Sequence, residues 1–158
     1  MLLISVVLFS LGWVSSSIDD VEPAIVLTVL PSDVITPFVV QNNEVIYRHR
    51  DDIGGNKIIA GEIIDSEGLP IIDNIRVNIQ MIADEMSLSN VNTLSYAFPG
   101  EATSYGVSGW AVALSLETNY LVWLTNIPEE EIISPEVLVT GLNLETNEAI
   151  INFVQVSS

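Results

Sequence analysis

The only histidine is the first residue to examine for chemistry, because a Ser-His-Asp site requires one. His49 lies between Arg48 and Arg50. Residues 106–110, GVSGW, superficially resemble a nucleophile turn, but Trp110 occupies the place of the second glycine in G-x-S-x-G. No strand–turn–helix context presents Ser108. We therefore interpret His49 as an exposed residue and predict no catalytic residue.

Paired carboxylates are the second candidate chemistry, since glycoside hydrolysis uses two acids at a fixed separation. The chain has 21 Asp and Glu residues, so neighbouring acids are common. Residues 129–131 are three glutamates between Pro128 and the Ser-Pro pair at 134–135, and residues 51–52 are two aspartates before a Gly-Gly pair. Both patterns are typical of solvated turns. The sequence therefore predicts a protein that is not an enzyme.

Calcium is the strongest chemical alternative, because hard cations bind clustered oxygen ligands. Asp65, Glu67 and Asp73 flank one predicted hairpin. The EF-hand spacing is absent, since Gly68 is the fourth residue of the loop and not the sixth. These three acids are the candidate calcium ligands, and a solvated acidic surface is the alternative. No other cofactor is predicted.

Aromatic side chains can form a platform on which sugars stack. Trp110 shares a predicted face with Val112, and Trp123 lies in an apolar stretch, so both tryptophans are predicted to be core residues. Tyr96 and Tyr105 lie on either side of a Pro-Gly turn at 99–100. These two tyrosines are the candidates for an exposed binding surface.

Short strands separated by turn residues must position all of these groups. Ile75, Val77, Ile79 and Met81 alternate with polar residues, and this period of two is typical of a half-buried strand. No segment after residue 43 shows a convincing helical period. The predicted strands are 44–49, 57–65, 74–81, 89–97, 109–116, 119–125, 136–140 and 148–156. They predict an all-β chain that folds as a single antiparallel β-sandwich.

The first seventeen residues, MLLISVVLFSLGWVSSS, predict export. Their apolar run of about 13 residues would rise about 20 Å as a helix, less than the hydrocarbon core of about 30 Å. The length and the small residues that follow are typical of a signal peptide, although no Lys or Arg precedes the run. A short anchor and a buried strand are the alternatives. We expect a secreted or cell-surface protein without a stable transmembrane span.

Residues 18–43 form a segment interrupted by Pro23, Pro31 and Pro37. Residues 24–30, AIVLTVL, are uncharged and rich in β-branched side chains. Left exposed, such a segment is an aggregation hazard. We interpret 18–43 as an extended linker, or as a docking strand in which 24–30 adds to a sheet of its own domain or of a neighbour.

Acidity limits the classes of partner. The chain has 21 acidic and 4 basic residues, a formal net charge of −17, and no cysteine. Nucleic-acid binding depends on basic side chains that release counterions, so no nucleic-acid partner is expected. Disulfides and thiolate metal sites are excluded by the missing cysteine.

Residues 61–70, GEIIDSEGLP, lead into Ile75-Arg76-Val77 and resemble the opening G-x-V-x-D-x-x-G-x-P of carboxypeptidase-regulatory-like domains. Residues 106–110, GVSGW, are similar to that family's second hairpin, and residues 120–123, YLVW, to one of its later strands. The C-terminal half, with YGVSGW at 105–110 and the closing residues 147–155, resembles a module of secreted bacterial surface proteins. The resemblance covers about residues 58–156. It implies a transthyretin-like or Ig-like sandwich of about seven strands, with a structural or accessory role and without catalytic residues.

Together these patterns predict a signal peptide at 1–17, a linker or docking strand at 18–43 and a sandwich at 44–158. The predicted function is structural, in adhesion or in assembly through a protein partner or self-association by residues 24–30. The alternative is an extracellular module that binds carbohydrate or calcium.

Overall fold

The computed structural model describes residues 36–82 and 93–156. Over these ranges the chain forms strands and three short 3-10 helices, Gln41–Asn43, Asp51–Ile53 and Thr103–Tyr105, and no α-helix. None of its helices there has the length and apolar character needed to cross a membrane. The strands are β1 (Phe38–Val40), β2 (Ile46–Arg48), β3 (Lys57–Gly61), β4 (Ile63–Ile64), β5 (Ile75–Ile82), β6 (Leu94–Ala97), β7 (Trp110–Leu114), β8 (Asn119–Asn126), β9 (Val137–Val139), β10 (Glu148–Ile150) and β11 (Phe153–Gln155).

The strands form a two-layer β-sandwich. One layer consists of two sheets that meet end to end, β2-β10-β3-β7 and β1-β11-β4. The other layer is the antiparallel sheet β6-β5-β8-β9. A single hydrophobic cluster with members from both layers fills the space between them.

Alternation along the strands explains this core. In β5 the side chains of Ile75, Val77 and Ile79 are buried, and in β8 those of Val122 and Leu124 are buried opposite them. On the facing layer, Trp110 and Phe153 are fully buried, with ring centroids 6.5 Å apart. Because successive side chains of a strand point to opposite faces, this arrangement buries one face of each layer.

A close backbone approach joins the two sheets of the first layer. The Ile151 N–H donates to the Ala60 carbonyl at 2.8 Å, and the Phe153 N–H donates to the Glu62 carbonyl at 3.0 Å. Between these bonds, a Cβ atom built on Gly61 would lie 1.8 Å from the Ile151 carbonyl oxygen. Only glycine permits this contact, because any side chain would overlap the neighbouring backbone.

All eight predicted strands overlap strands of the structure, and residues 89–92 of one lie outside the described residues. Two predictions, 57–65 and 148–156, each cover two strands, because the ladder is interrupted near Glu62 and Asn152. The strand count within the described residues is therefore eleven and not about seven. Strand β1 lies in the segment 18–43 that is predicted as a linker or docking strand, so the sandwich begins earlier than residue 44. Pro37 directly precedes it, and proline is tolerated at the start of a strand.

The predicted all-β sandwich is confirmed, but its first layer is mixed and not antiparallel throughout. Strand β10 pairs parallel with β3, and β11 pairs parallel with β4. Between β4 and β10 the chain forms β5 and β6 in the second layer, β7 in the first, and β8 and β9 in the second. Alternation along one strand predicts which face is buried, but not the direction of a partner so distant in sequence.

The junction at Gly61 gives a stability prediction. We expect Gly61→Ala to lower the free energy of unfolding by about 3 kcal/mol or more, because the new Cβ must displace the Ile151 backbone. Urea unfolding followed by tryptophan fluorescence measures this loss. Gly55→Ala is the matched control, since its Cβ would meet no atom within 4 Å. Equal stability of the two variants would contradict the assigned strand junction.

Candidate functional site

The most distinctive polar group of the described residues is the carboxylate of Glu148. It begins β10, between Arg48 of β2 and Ile58 of β3, and its side chain is 0% exposed. Tyr105, at the end of the 3-10 helix Thr103–Tyr105, contacts this carboxylate from a separate loop. A buried charge is costly unless it is paired and hydrogen-bonded, so its partners determine whether it is structural or reactive.

Both oxygens of Glu148 are occupied. The Arg48 Nε donates to Oε2. Oε1 accepts hydrogen bonds from the Tyr105 hydroxyl at 2.5 Å and from the Arg50 Nη1 at 3.1 Å. Arg50 also pairs with Asp52. We call these five residues, Arg48, Arg50, Asp52, Tyr105 and Glu148, the Glu148 network.

Asn147 fixes the backbone that carries Arg50. Its side-chain Oδ1 accepts from the Arg50 N–H at 2.7 Å, and its Nδ2 donates to the Arg50 carbonyl at 2.8 Å. Asn147 is buried, so these two bonds satisfy polar groups that water does not reach. They connect the segment after β2 to Asn147, which directly precedes β10.

Near neutral pH the Glu148 carboxyl group is ionised and the Tyr105 hydroxyl is protonated. Burial raises the pKa of Glu148, but the hydrogen bonds from Arg48, Tyr105 and Arg50 together outweigh this effect and lower it below the usual value. Burial and the hydrogen bond to Glu148 raise the pKa of Tyr105 to about 12. General acid–base catalysis favours a pKa near the working pH, and both groups have been moved away from it.

The cavity beside the network is small. A groove of about 240 Å³ is lined by residues that include Arg48, Glu62, Tyr105 and Asn152. Small-molecule sites usually enclose about 300–1,000 Å³. The groove is therefore smaller than a typical site for a drug-sized ligand.

The structure does not bring the predicted calcium ligands together. The Asp65 Oδ1 accepts hydrogen bonds from the Glu67 and Leu69 N–H groups, both at 2.8 Å, and Gly68 has a φ of 85°. Asp65 therefore stabilises the turn. In the part of the chain that the structure describes, no group of three His, Asp or Glu side chains could hold a metal ion. Asp73 therefore forms no such group with Asp65 and Glu67.

The two predicted surface tyrosines have different surroundings. Tyr96 is 49% exposed, and the Arg76 guanidinium lies 4.7 Å from the centre of its ring. Tyr105 is half-buried, and its hydroxyl belongs to the Glu148 network. Only Tyr96 presents a largely open side chain.

The two tryptophans also differ. Trp110 is fully buried, as predicted. Trp123 is half-buried, because it alternates in β8 with the buried residues Val122 and Leu124 and so lies on the outer face of its sheet. Asn78 of β5 lies opposite Trp123 on one side and opposite Tyr96 of β6 on the other, so the three residues share this face of the sheet. The prediction that Trp123 is a core residue is therefore wrong.

The serine and histidine considered for catalysis have structural surroundings. The Ser108 Oγ is buried and accepts a hydrogen bond from the Ile63 N–H at 3.2 Å. His49 is exposed, and its Nε2 lies 3.0 Å from the Asp51 Oδ1. Neither contact is that of an activated nucleophile.

The Glu148 network was missed at the level of the sequence. A weak signal exists, because two of the four basic residues, Arg48 and Arg50, flank His49, and Glu148 opens an otherwise apolar segment. The pairing of β2 with β10 could not be predicted across about 100 residues.

Comparison with protein-family models finds no match, and comparison with curated proteins also finds none. The resemblance to carboxypeptidase-regulatory-like domains therefore stays a prediction, as does the signal peptide. Residues 1–17 and 24–30, which carry the predictions of export and strand addition, lie outside the described residues.

Loss of the buried charge gives a second prediction. We expect Glu148→Gln to lower the free energy of unfolding by about 1–3 kcal/mol, because a neutral amide weakens the hydrogen bonds from Arg48, Arg50 and Tyr105, while both arginines stay partly exposed and Arg50 keeps Asp52. Chemical denaturation at pH 7 measures the change. Glu145→Gln, which removes an exposed carboxylate, is the matched control and should have little effect. Similar values for both variants would contradict a structural role of Glu148.

At acid pH the wild type should lose its higher free energy of unfolding relative to Glu148→Gln. The folded pKa of Glu148 is below its unfolded value of about 4.3, so its contribution is full above that value and is lost as the pH falls through the folded pKa. The stability difference between wild type and Glu148→Gln should therefore be constant from pH 6 to 7 and shrink below about pH 4. Denaturation curves at several pH values test this, and a difference independent of pH would contradict it.

Proposed function

We propose that this chain is a non-catalytic, secreted or cell-surface β-sandwich domain with a structural or adhesion role. In this proposal it associates with other copies through strand addition by residues 24–30. The observation that supports it most is the Glu148 network, whose polar groups satisfy one another inside the domain.

The network favours a mechanical role over a chemical one. A carboxylate that acts as a general acid or base needs a free oxygen and a pKa suited to proton transfer, whereas both Glu148 oxygens are hydrogen-bonded and its pKa is lowered. The same contacts link β2, β10 and the loop that carries Tyr105. They stabilise a domain that holds its shape, which a surface module requires.

The distribution of charge supports a domain whose surface faces water. All four basic side chains of the chain, Arg48, Arg50, Lys57 and Arg76, form ion pairs with acidic residues. The remaining surface charge is therefore negative, which disfavours binding to phosphate backbones.

Self-association is the part of the proposal that the sequence supports. Residues 24–30 are uncharged between Glu22 and Asp33, in a chain with a net charge of −17. An extended segment of this composition gains free energy by pairing with a sheet edge, through main-chain hydrogen bonds and burial of alternate side chains.

A single charge tests this proposal. We expect the full chain to sediment as multimers and Leu27→Asp to sediment as a monomer, because a buried carboxylate opposes docking of the strand. Analytical ultracentrifugation over a range of concentrations makes the measurement. Leu144→Asp is the matched control, since it adds the same charge at an exposed loop position and should leave the multimers intact. A monomeric wild type, or multimers that persist in Leu27→Asp, would contradict self-association by this segment.

A further inference from the structure

Strand β7 forms one edge of the first layer. It pairs with β3, and among the described residues it has no second strand partner. With five residues, it is longer than β1, β2, β4, β6 and β9, the other strands at sheet edges. Its sequence, Trp-Ala-Val-Ala-Leu, contains no charge and no proline, which are the usual protections of an edge.

The direction of the β7 peptide groups follows from the bonds of β3. The Ile58 N–H donates to the Asn147 carbonyl, and the Ala60 carbonyl accepts from the Ile151 N–H. The peptide groups of Ile58 and Ala60 therefore face the β10 side of β3. Those of residues 57, 59 and 61 face β7, because the direction alternates along a strand.

Two β7 residues consequently direct their peptide groups toward the open edge. Ala113 lies opposite Ile58, and Ala111 lies opposite Ala60, so both are in non-hydrogen-bonded pairs with β3. Outside the strand ladders, no backbone hydrogen bond of the described residues ends on Ala111 or Ala113. The edge thus offers two N–H donors and two carbonyl acceptors in the spacing of a strand.

A cleft of mixed polarity lies behind this edge, between the two layers. Its volume is about 190 Å³, and its lining combines apolar side chains, among them Ile79, Met81 and Leu114, with the polar residues Thr93, Ser95 and Ser115. The cleft could receive side chains from one face of an added strand, while the edge supplies the main-chain hydrogen bonds.

We propose that residues 24–30 of a second copy of the chain add to the open edge of β7. This inference rests on the proposed function and names its acceptor. With a period of two, Ile25, Leu27 and Val29 form one apolar face that enters the cleft. Val26 and Thr28 then share the outer face with Ala113.

Charge and length favour this occupant. The chain carries one acidic residue in about every seven or eight, yet residues 24–30 and β7 carry none. Pairing the two avoids bringing carboxylates together across the ladder, which would be destabilising. The seven residues of the donor also cover the five residues of β7.

The position of β1 favours a second copy over the same chain. Strand β1 is an edge of the sheet β1-β11-β4, whereas β7 is an edge of the other sheet of this layer. The two edges are on opposite sides of the layer, about three inter-strand steps or 14 Å apart. Insertion of its own residues 24–30 would require residues 31–37 to cross the layer, which uses more than half of their maximum reach of about 25 Å. A second copy has no such restriction.

Disulfide trapping tests the proposal in the full chain, because the natural sequence contains no cysteine. Ala113→Cys is mixed with Val26→Cys, Thr28→Cys or Leu27→Cys under mild oxidation, and mixed dimers are quantified on non-reducing gels. Facing residues of adjacent strands have the separation that a disulfide needs. We expect Val26→Cys or Thr28→Cys to form mixed dimers at least about tenfold faster than Leu27→Cys, whose side chain faces the cleft.

Three results would overturn the proposal. They are equal trapping of all three donors, trapping of none, and formation of an intrachain disulfide without dimers in the double variant Ala113→Cys/Thr28→Cys. Sedimentation of the full chain and of Leu27→Asp separates this failure from that of the proposed function. Multimers that depend on Leu27 without the trapping pattern would retain self-association and reject β7 as the acceptor, and a monomeric wild type would reject both.

Discussion

The backbone contact between Gly61 and Ile151 is the constraint on which the rest of the first layer depends. There the chain passes from β3 to β4 and from β10 to β11 while two hydrogen bonds keep the parallel pairs in register. Without the approach that glycine allows, the two sheets of this layer would separate at their junction. The Glu148 side chain and the β7 edge are both positioned by strands that meet at this contact.

The Glu148 network shows how one buried charge can organise distant parts of a chain. Its donors come from β2, from the residues after β2 and from a 3-10 helix, whereas its acceptor begins β10. A carboxylate with fewer donors at this position would be more costly to bury than a neutral residue. The geometry therefore selects one arrangement of these segments, since a shifted register would leave the charge without its partners.

Most of the strand positions could be predicted from local alternation, as β5 and β8 show. Alternation also predicts Trp110 as a core residue, but it fails for Trp123, whose apolar neighbours on both sides hide the period. The parallel neighbours and the Glu148 network could not be predicted, because they depend on contacts between residues 43 to 100 positions apart. Strand β1 was not predicted because the three prolines of the segment suggested a linker, although a proline directly before a strand removes no hydrogen bond from its ladder.

The pairing of all four basic side chains has a consequence for how copies meet. Each molecule presents to its neighbours a field of one sign, because its few cations are already neutralised by their own carboxylates. Mutual repulsion then extends over a Debye length of about 10 Å at 0.1 M salt but only about 3 Å at 1 M. Ionic strength therefore sets the range of this repulsion between molecules, which is longer in dilute salt than in concentrated salt.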